Sequence, residues 1–313
     1  MAPLPTDRTA LGAAGAAAVL WGTYYLFVLS LPSSENLALI LLTPVIGGAI
    51  TLGAALVIDR PGVAGLRAAI LDPRVLAAGL FFLGFQFGAV YSTRIVGAVN
   101  TSLLVLGSDV VGTPLLVTAV LRHGGRALRS PGFLVGVVVI AAAGSLTIVA
   151  GGSPEPLSWS TLALGVPLFL VSSLFIVTTD SANRRRPILV VLGVGPIVVS
   201  GLASLAAIGL VGVPAVVGAT DLRSGTTLLA LSITNYTLAP VLFFWSARRI
   251  ALVLPSILQA AIPVVTLAYV GFLGLQPVTA VGLVGVPLAF LGASLAVRAY
   301  SAEGGPPARL PMP

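Results

Sequence analysis

The stretch RRRPILVVLGVGPIVVSGLASLAAIGLVG, residues 184–212, holds three arginines followed by a long run without a charged side chain. An apolar run of about 20 residues is long enough to cross the hydrocarbon core of a bilayer as a helix. Arginines beside such a run favour the cytoplasmic side of the membrane. This stretch therefore predicts a transmembrane helix over 187–212 that enters the membrane from the cytoplasm.

The whole chain has the composition of a membrane protein. Of its 313 residues, 57% are hydrophobic and 8% are charged, and the mean hydropathy is +1.10. A soluble domain carries about a quarter charged residues. The 36 glycines and 23 prolines lie largely inside apolar runs, where membrane helices use both residues freely. The composition excludes a soluble protein and a disordered one.

The net charge of +7 comes from arginines that lie between the apolar runs. Because they form no continuous basic face, the high isoelectric point does not indicate nucleic-acid binding, and no nucleic-acid partner is expected. The chain has no cysteine, which excludes disulfides and thiolate sites. The first apolar run, 9–31, is too long for the core of a signal peptide, so we expect it to remain as the first helix.

Arginine placement predicts how the helices cross the membrane. Ten spans are predicted at 9–31, 36–58, 74–92, 96–121, 131–151, 159–179, 187–212, 226–246, 250–274 and 277–299. If the N-terminus is cytoplasmic, 14 of the 16 basic residues fall in cytoplasmic segments, and only Arg94 and Arg223 remain outside. This asymmetry follows the positive-inside rule. We expect a multi-pass protein of the plasma (inner) membrane with both termini cytoplasmic and a disordered tail at 301–313.

The two halves of the chain share short motifs in the same order. Thr43-Pro44-Val45-Ile46 matches Gly195-Pro196-Ile197-Val198, and Arg94-Ile95-Val96 matches Arg249-Ile250-Ala251. A third match joins Gly144-Ser145-Leu146 to Gly292-Ala293-Ser294-Leu295. The halves are predicted at 1–152 and 153–300. With five spans in each, the second half enters the membrane in the opposite sense, an arrangement typical of transporters with a site near mid-membrane.

Several motifs resemble a known family. Leu20-Trp21-Gly22 resembles the opening of the EamA-type domain of the drug/metabolite transporter superfamily. Pro255-Ser256 through Ile262-Pro263-Val264, followed by Gly274-Leu275-Gln276, is similar to the end of its second repeat. The resemblance implies a ten-helix transporter of metabolites such as amino acids, without a bound cofactor. It also implies a cavity lined by the first, third, fourth, sixth, eighth and ninth spans.

Asp109 is the one acidic residue deep inside a predicted span. A charge at that depth is costly, so such residues usually face a cavity and serve function. Ser102, Asp109 and Thr113 are spaced to share one helical face, and Asp109 is a candidate to carry a coupling proton. The alternative is a protonated aspartate that joins two helices by a hydrogen bond.

Further candidates for substrate binding are polar or amphipathic side chains inside the spans. Ser256, Gln259 and Thr266 form a polar stripe with Pro263 in the ninth span, although helix packing explains such a stripe equally well. Trp21, Tyr24 and Tyr25 lie near mid-span, where their rings can line a pocket or pack in the core. Gln86 and Asn235 are uncharged candidates in the third and eighth spans.

We expect a secondary transporter for an amino acid or a similar amphipathic solute, with export favoured. Its expected partners are the substrate, membrane lipid and protons, with no cofactor or metal and a monomeric or weakly dimeric state. A membrane-embedded enzyme is disfavoured because the chain has one histidine, one deep acid and no Gly-x-Ser-x-Gly motif. A non-transporting lipid-binding or assembly subunit remains a third possibility.

Overall fold

The computed structural model describes residues 7–121, 128–150, 159–218, 221–250, 252–275 and 280–302. Gln276 of the family motif and positions 303–313 of the predicted tail lie outside these ranges. Ser301, predicted to begin the tail, instead belongs to the last helix, which ends at Ala302.

The described part of the chain is helical. Helices make up 89% of it, and it contains no strand. Eight helical segments are long and apolar enough to cross a membrane: Arg8–Ser30, Ser33–Ile58, Pro73–Val96, Ala98–Ala119, Gly165–Asn183, Ile188–Val211, Leu222–Ala247 and Val253–Phe272. Two shorter apolar stretches are Pro131–Ala143 and Leu283–Ala296. The protein is therefore a multi-pass membrane protein.

Several of these segments consist of more than one helix. The α-helices in chain order are α1 Arg8–Gly22, α2 Tyr24–Ser30, α3 Asn36–Ile58, α4 Val63–Ile70, α5 Pro73–Val96, α6 Ala98–Gly107, α7 Thr113–Leu121, α8 Pro131–Ala150, α9 Trp159–Asn183, α10 Ile188–Val211, α11 Val213–Val217, α12 Leu222–Leu231, α13 Ala239–Ala247, α14 Val253–Leu258, α15 Ala261–Phe272 and α16 Ala280–Ala302. A π-helix, Ser108–Gly112, joins α6 to α7, and a second, Ser232–Leu238, joins α12 to α13.

The ends of the helices follow the local sequence. Asp7, Asp72 and Asp221 precede α1, α5 and α12, and each carboxylate accepts a backbone N–H of the first turn, as preferred N-caps do. Gly97 separates α5 from α6 with a φ of 88°, a backbone conformation that glycine adopts without strain. The closely spaced predicted spans 74–92 and 96–121 are thus separate helices.

Contacts between loops bring chain segments that are distant in sequence to the same end of the bundle, as where Arg248 donates to the carbonyl of Arg186 at 2.7 Å. At one end of the bundle, Arg249 pairs with Asp7 at 3.2 Å and Arg186 pairs with Asp72 at 2.8 Å. We call this the arginine-rich end. At the opposite end, Arg94 donates to the carbonyl of Leu31 at 2.7 Å. Loops that are distant in sequence therefore close each end of one bundle.

Glycines allow the long helices to pack closely. α3 packs against α10, and α8 packs against α16. A Cβ atom placed on Gly136 would lie 2.6 Å from the carbonyl oxygen of Gly292, and a Cβ on Gly79 would lie 2.5 Å from that of Gly195. Small residues at such crossings bring helix backbones together, the usual basis of association inside a bilayer.

Candidate functional site

The centre of the bundle holds a cavity with about 510 Å³ of space not filled by protein atoms, counting its open part. We call it the central cavity. Its walls come from α1 and α2, α5, α6 with its π-helix, α9, the π-helix before α13, and α15. The lining residues are Trp21, Tyr24, Tyr25, Phe82, Phe85, Gln86, Val105, Asp109, Ser172, Phe175, Ile176, Asn235 and Ile262.

A break in the first helical segment brings three aromatic side chains to this cavity. α1 ends at Gly22 and α2 begins at Tyr24, so the backbone turns between Trp21 and Tyr24. A Cβ on Gly22 would lie 2.5 Å from Val265, and the Thr266 hydroxyl donates to the Gly22 carbonyl at 3.2 Å. Close packing against α15 and this hydrogen bond stabilise the break.

The π-helix at Ser232–Leu238 places Asn235 in the wall. It ends just before Ala239-Pro240, and a proline inside a helix lacks an N–H and crowds the preceding turn. A widened turn relieves that conflict and leaves carbonyl groups free of helical partners. One of them, the carbonyl of Asn235, accepts the indole N–H of Trp21 at 3.2 Å. The irregular turn thus fixes the orientation of a cavity-lining ring.

The π-helix at Ser108–Gly112 places Asp109 in the wall in the same way. It ends just before Thr113-Pro114, again one residue ahead of a proline. Asp109 is 3% exposed. The Ser172 hydroxyl of α9 is its hydrogen-bonding partner, while Oδ1 has no partner. A buried carboxyl oxygen without a hydrogen-bond partner is one that a proton or a ligand group would satisfy.

Gln86 connects two tyrosines across the cavity. Its Oε1 accepts the hydroxyl of Tyr24 at 2.8 Å and that of Tyr236 at 2.6 Å. All three side chains are at least 96% buried. Because both phenols donate to the same oxygen, the amide orientation is fixed with Nε2 turned away from them.

Aromatic rings form most of the remaining wall. Phe82 and Phe175 lie 4.8 Å apart between ring centroids, and Phe85 stacks on Phe175 at 6.4 Å. Asp109 is the one lining residue with a carboxyl group, and no arginine or histidine lines the cavity among the residues described. Nor do the described residues contain a group of side chains that could hold a metal ion. The chemistry of the wall is therefore aromatic with one acidic group.

A second cavity of about 290 Å³, counted in the same way, borders the first. We call it the end cavity, because it is lined by Ala78 and Gly79 near the start of α5 and by Thr179 near the end of α9. Both of those helix ends lie at the arginine-rich end. Phe82 and Phe175 line both cavities, so this pair of rings separates them.

Six of the nine residues proposed from the sequence line the central cavity: Trp21, Tyr24, Tyr25, Gln86, Asp109 and Asn235. Ser102, Ser256 and Gln259 do not. They are fully buried and hydrogen-bond within their own helices, Ser102 to the carbonyl of Val99, Ser256 to that of Leu252 and Gln259 to that of Pro255.

Sequence reasoning named Gln86 and expected the third and sixth spans, α5 and α9, to line the cavity, but it missed their other lining side chains. Phe82, Phe85 and Gln86 follow the spacing i, i+3, i+4, and so do Ser172, Phe175 and Ile176 of α9. This spacing places each trio on one face of its helix. The available signal was a polar residue, Gln86 or Ser172, at helical spacing from aromatic side chains. This signal is weak because the other faces of both helices also carry many apolar side chains.

No model of a known protein family matches the sequence. No curated protein matches it either. Among solved structures, 21 chains are similar. One of them, described only as "Crystal structure of protein", superposes with a TM-score of 0.69 at 18% identity, covering 96% of this chain and 100% of that one. At this identity the likeness shows a shared fold alone.

Proposed function

We propose that this protein is a secondary transporter of the EamA type that carries a small amphipathic solute by alternating access. The observation that carries the proposal is the central cavity. Three of its wall segments, the break between α1 and α2 and the two π-helices, depart from α-helical geometry at residues that line it. Interrupted helices at mid-membrane are the usual construction of transporter binding sites. Small-molecule sites are lined mainly by apolar and aromatic side chains with a few placed polar groups, and the wall of this cavity has that composition.

We further propose ten transmembrane helices in two inverted halves of five. In such an arrangement the first span corresponds to the sixth and the third to the eighth, so a contact between the first and eighth requires one between the sixth and third. α1 packs against α13, and α9 packs against α5. Corresponding spans also meet: α3 with α10, α6 with α15 and α8 with α16. This packing supports the proposed symmetry.

We propose that the protein lies in the plasma (inner) membrane and that its arginine-rich end faces the cytoplasm. It gathers Arg184, Arg186, Arg248 and Arg249 together with the loop that carries Arg67. Positive charge at one end favours retention on the cytoplasmic side. Asp7, the first residue that the structure describes, lies at this end, since it pairs with Arg249.

Asp109 is proposed to carry the coupling proton. An isolated carboxyl at this depth must be protonated, paired or hydrated. Its one hydrogen-bonding partner is the neutral Ser172, and Oδ1 is open. The group can therefore gain or lose a proton as the cavity gains or loses water. A purely structural role would use the carboxyl only to join the π-helix to α9.

Counterflow in proteoliposomes tests the transport proposal. Vesicles loaded with a mixture of unlabelled amino acids and amines should show saturable, accelerated exchange of the corresponding labelled solutes. Asn235→Trp should abolish the exchange by filling the cavity. Leu205→Trp, at a position 67% exposed on the outer face of α10, is the matched control and should exchange normally. Absence of saturable flux for every solute in the mixture would overturn the proposal.

A further inference from the structure

The walls of the central cavity carry one kind of formal charge. Asp109 lines it, its Oδ1 atom has no hydrogen-bond partner, and its side chain is 97% shielded. A buried carboxylate without a counter-ion is strongly unfavourable. A cationic group brought in by a ligand would supply that counter-ion at Oδ1.

The aromatic side chains of the wall suit the same ligand. Trp21 and the tyrosine pair Tyr24 and Tyr25, whose rings meet edge to face at 5.3 Å, lie beside Asp109 in the cavity. The faces of such rings attract ammonium groups, and the attraction strengthens when water is excluded. A carboxyl with aromatic faces around it is a recognition surface for an amine that carries apolar groups.

Among the residues that the structure describes, no cationic side chain lines this cavity to pair with an anion or with the carboxylate of a zwitterion. Arg94 is the cation that acts on Tyr24 electrostatically, but its guanidinium donates to the carbonyls of Leu31 and Pro32 and to Asn36. It does not line the cavity. The carboxylate of a free amino acid would enter a space that already contains Asp109 and would find only neutral donors.

The geometry points to an organic monocation, a protonated amine or quaternary ammonium with an aromatic or branched apolar body, as the solute of the central cavity. This inference rests on the proposed function and narrows its substrate class. The ammonium group lies at Asp109, and the apolar body lies against Trp21 and the phenylalanines.

Isothermal titration of the full-length purified protein tests this class with three probes of similar size. Benzyltrimethylammonium is the cation, neopentylbenzene is its neutral isostere and phenylacetate is an anion. We expect the cation to bind at least about tenfold more tightly than either of the others, since an interaction with a charged partner is worth that much or more in affinity. Equal affinities, or no saturable binding of the cation at millimolar concentration, would overturn the inference.

Two variants separate the role of Asp109 from that of any buried acid. Asp109→Asn should weaken cation binding about tenfold or more and leave binding of the neutral isostere unchanged. Asp180→Asn is the matched control, because Asp180 is 6% exposed inside α9 but pairs with Arg184 and does not line the cavity. If Asp109→Asn fails to fold, Trp21→Leu is the second variant: it removes an aromatic face and retains the charge, so it should weaken binding of the cation more than binding of the neutral isostere, and equal losses would overturn the inference.

The transport assay distinguishes failure of the inference from failure of the proposed function. Saturable counterflow of amino acids or other solutes that benzyltrimethylammonium does not inhibit would overturn the substrate class and leave the carrier standing. Tight cation binding without flux of any solute would overturn the transport proposal and leave the inferred recognition of cations intact.

Discussion

The Oε1 atom of Gln86 lies 2.6 Å from the hydroxyl of Tyr236, a hydrogen bond between α5 and the π-helix that precedes α13. A second donor, the hydroxyl of Tyr24, reaches the same atom at 2.8 Å. One amide oxygen thus ties together three wall segments that are far apart in sequence. The cavity keeps its shape through this shared acceptor as well as through ring packing.

Replacement of the acceptor should cost more stability than loss of one donor. Gln86→Leu leaves the buried Tyr24 hydroxyl without a partner, at about 1–3 kcal/mol, and leaves the Tyr236 hydroxyl with a long contact to the Leu39 carbonyl at 3.5 Å. Tyr236→Phe removes one donor, keeps the ring and leaves Oε1 bonded to Tyr24, at about 0.5–1.5 kcal/mol. Thermal unfolding in detergent should therefore rank Gln86→Leu below Tyr236→Phe and both below the parent protein. The reverse order would show that the shared acceptor does not hold the three segments.

Close backbone contact between α8 and α16 predicts a steric effect. Gly136→Ala brings a Cβ atom to 2.6 Å from the Gly292 carbonyl and 2.7 Å from the Ala296 nitrogen. Because the backbones cannot move apart without loss of packing, we expect about 1–3 kcal/mol of destabilisation. Gly201→Ala, in the interior of α10 with nothing within 4 Å, should instead be neutral or stabilising by up to about 1 kcal/mol. Equal melting temperatures for the two variants would contradict the close approach.

The ring pair Phe82 and Phe175 separates the central cavity from the end cavity, so truncation of one ring should connect them. The natural chain has no cysteine, which allows a single reporter, Ser172→Cys, in the central cavity. In that background Phe82→Ala should speed modification by a charged thiol reagent added at the arginine-rich end. Leu80→Ala, 58% exposed on the same helix, is the control. Equal rates in the two variants would exclude this route.

The central cavity shows which features the sequence predicts and which it does not. Composition and arginine placement predict helices that cross a membrane. The free-energy cost of burying a charged side chain singles out Asp109 as a candidate site residue. Ser102 was assigned to the face of Asp109 by counting 3.6 residues per turn. The π-helix at Ser108–Gly112 widens that turn, so the spacing does not carry across it. Pro114 and Pro240 mark both π-helices, but a proline in a span produces a kink, a break or a widened turn with equal ease.

Acid should weaken the link between Asp72 and Arg186. Burial raises the pKa of the Asp72 carboxyl, but hydrogen bonds from Arg186 and from the Arg74 backbone outweigh burial and lower the pKa below its usual value. A carboxyl whose pKa is lowered on folding stabilises the protein above its unfolded pKa, and this contribution is lost as pH falls through the folded value.

Asp72→Asn retains the N-cap and removes the charge, so it isolates this contribution. At pH 7 the variant should be less stable than the parent by about 1 kcal/mol or less. The difference should shrink as pH falls below about 4 and disappear in stronger acid. Melting curves of both proteins from pH 7 to pH 3 measure it. A difference that stays constant over this range would assign the effect to shape rather than to charge.

Proton coupling through Asp109 predicts a separation between exchange and accumulation. Asp109→Asn keeps the size of the side chain and its hydrogen bond to Ser172 but cannot titrate. At saturating solute the variant should still exchange labelled for unlabelled substrate across the membrane of proteoliposomes, yet it should lose accumulation driven by a pH gradient.

If the carboxyl only joins the π-helix to α9, the amide should preserve gradient-driven flux. Asp109→Leu should then destabilise the protein by about 1–3 kcal/mol, because the Ser172 hydroxyl loses its partner. Normal pH-driven flux in a well-expressed Asp109→Asn variant would overturn the coupling proposal. It would leave the transport proposal intact, since exchange of solute needs no titrating group.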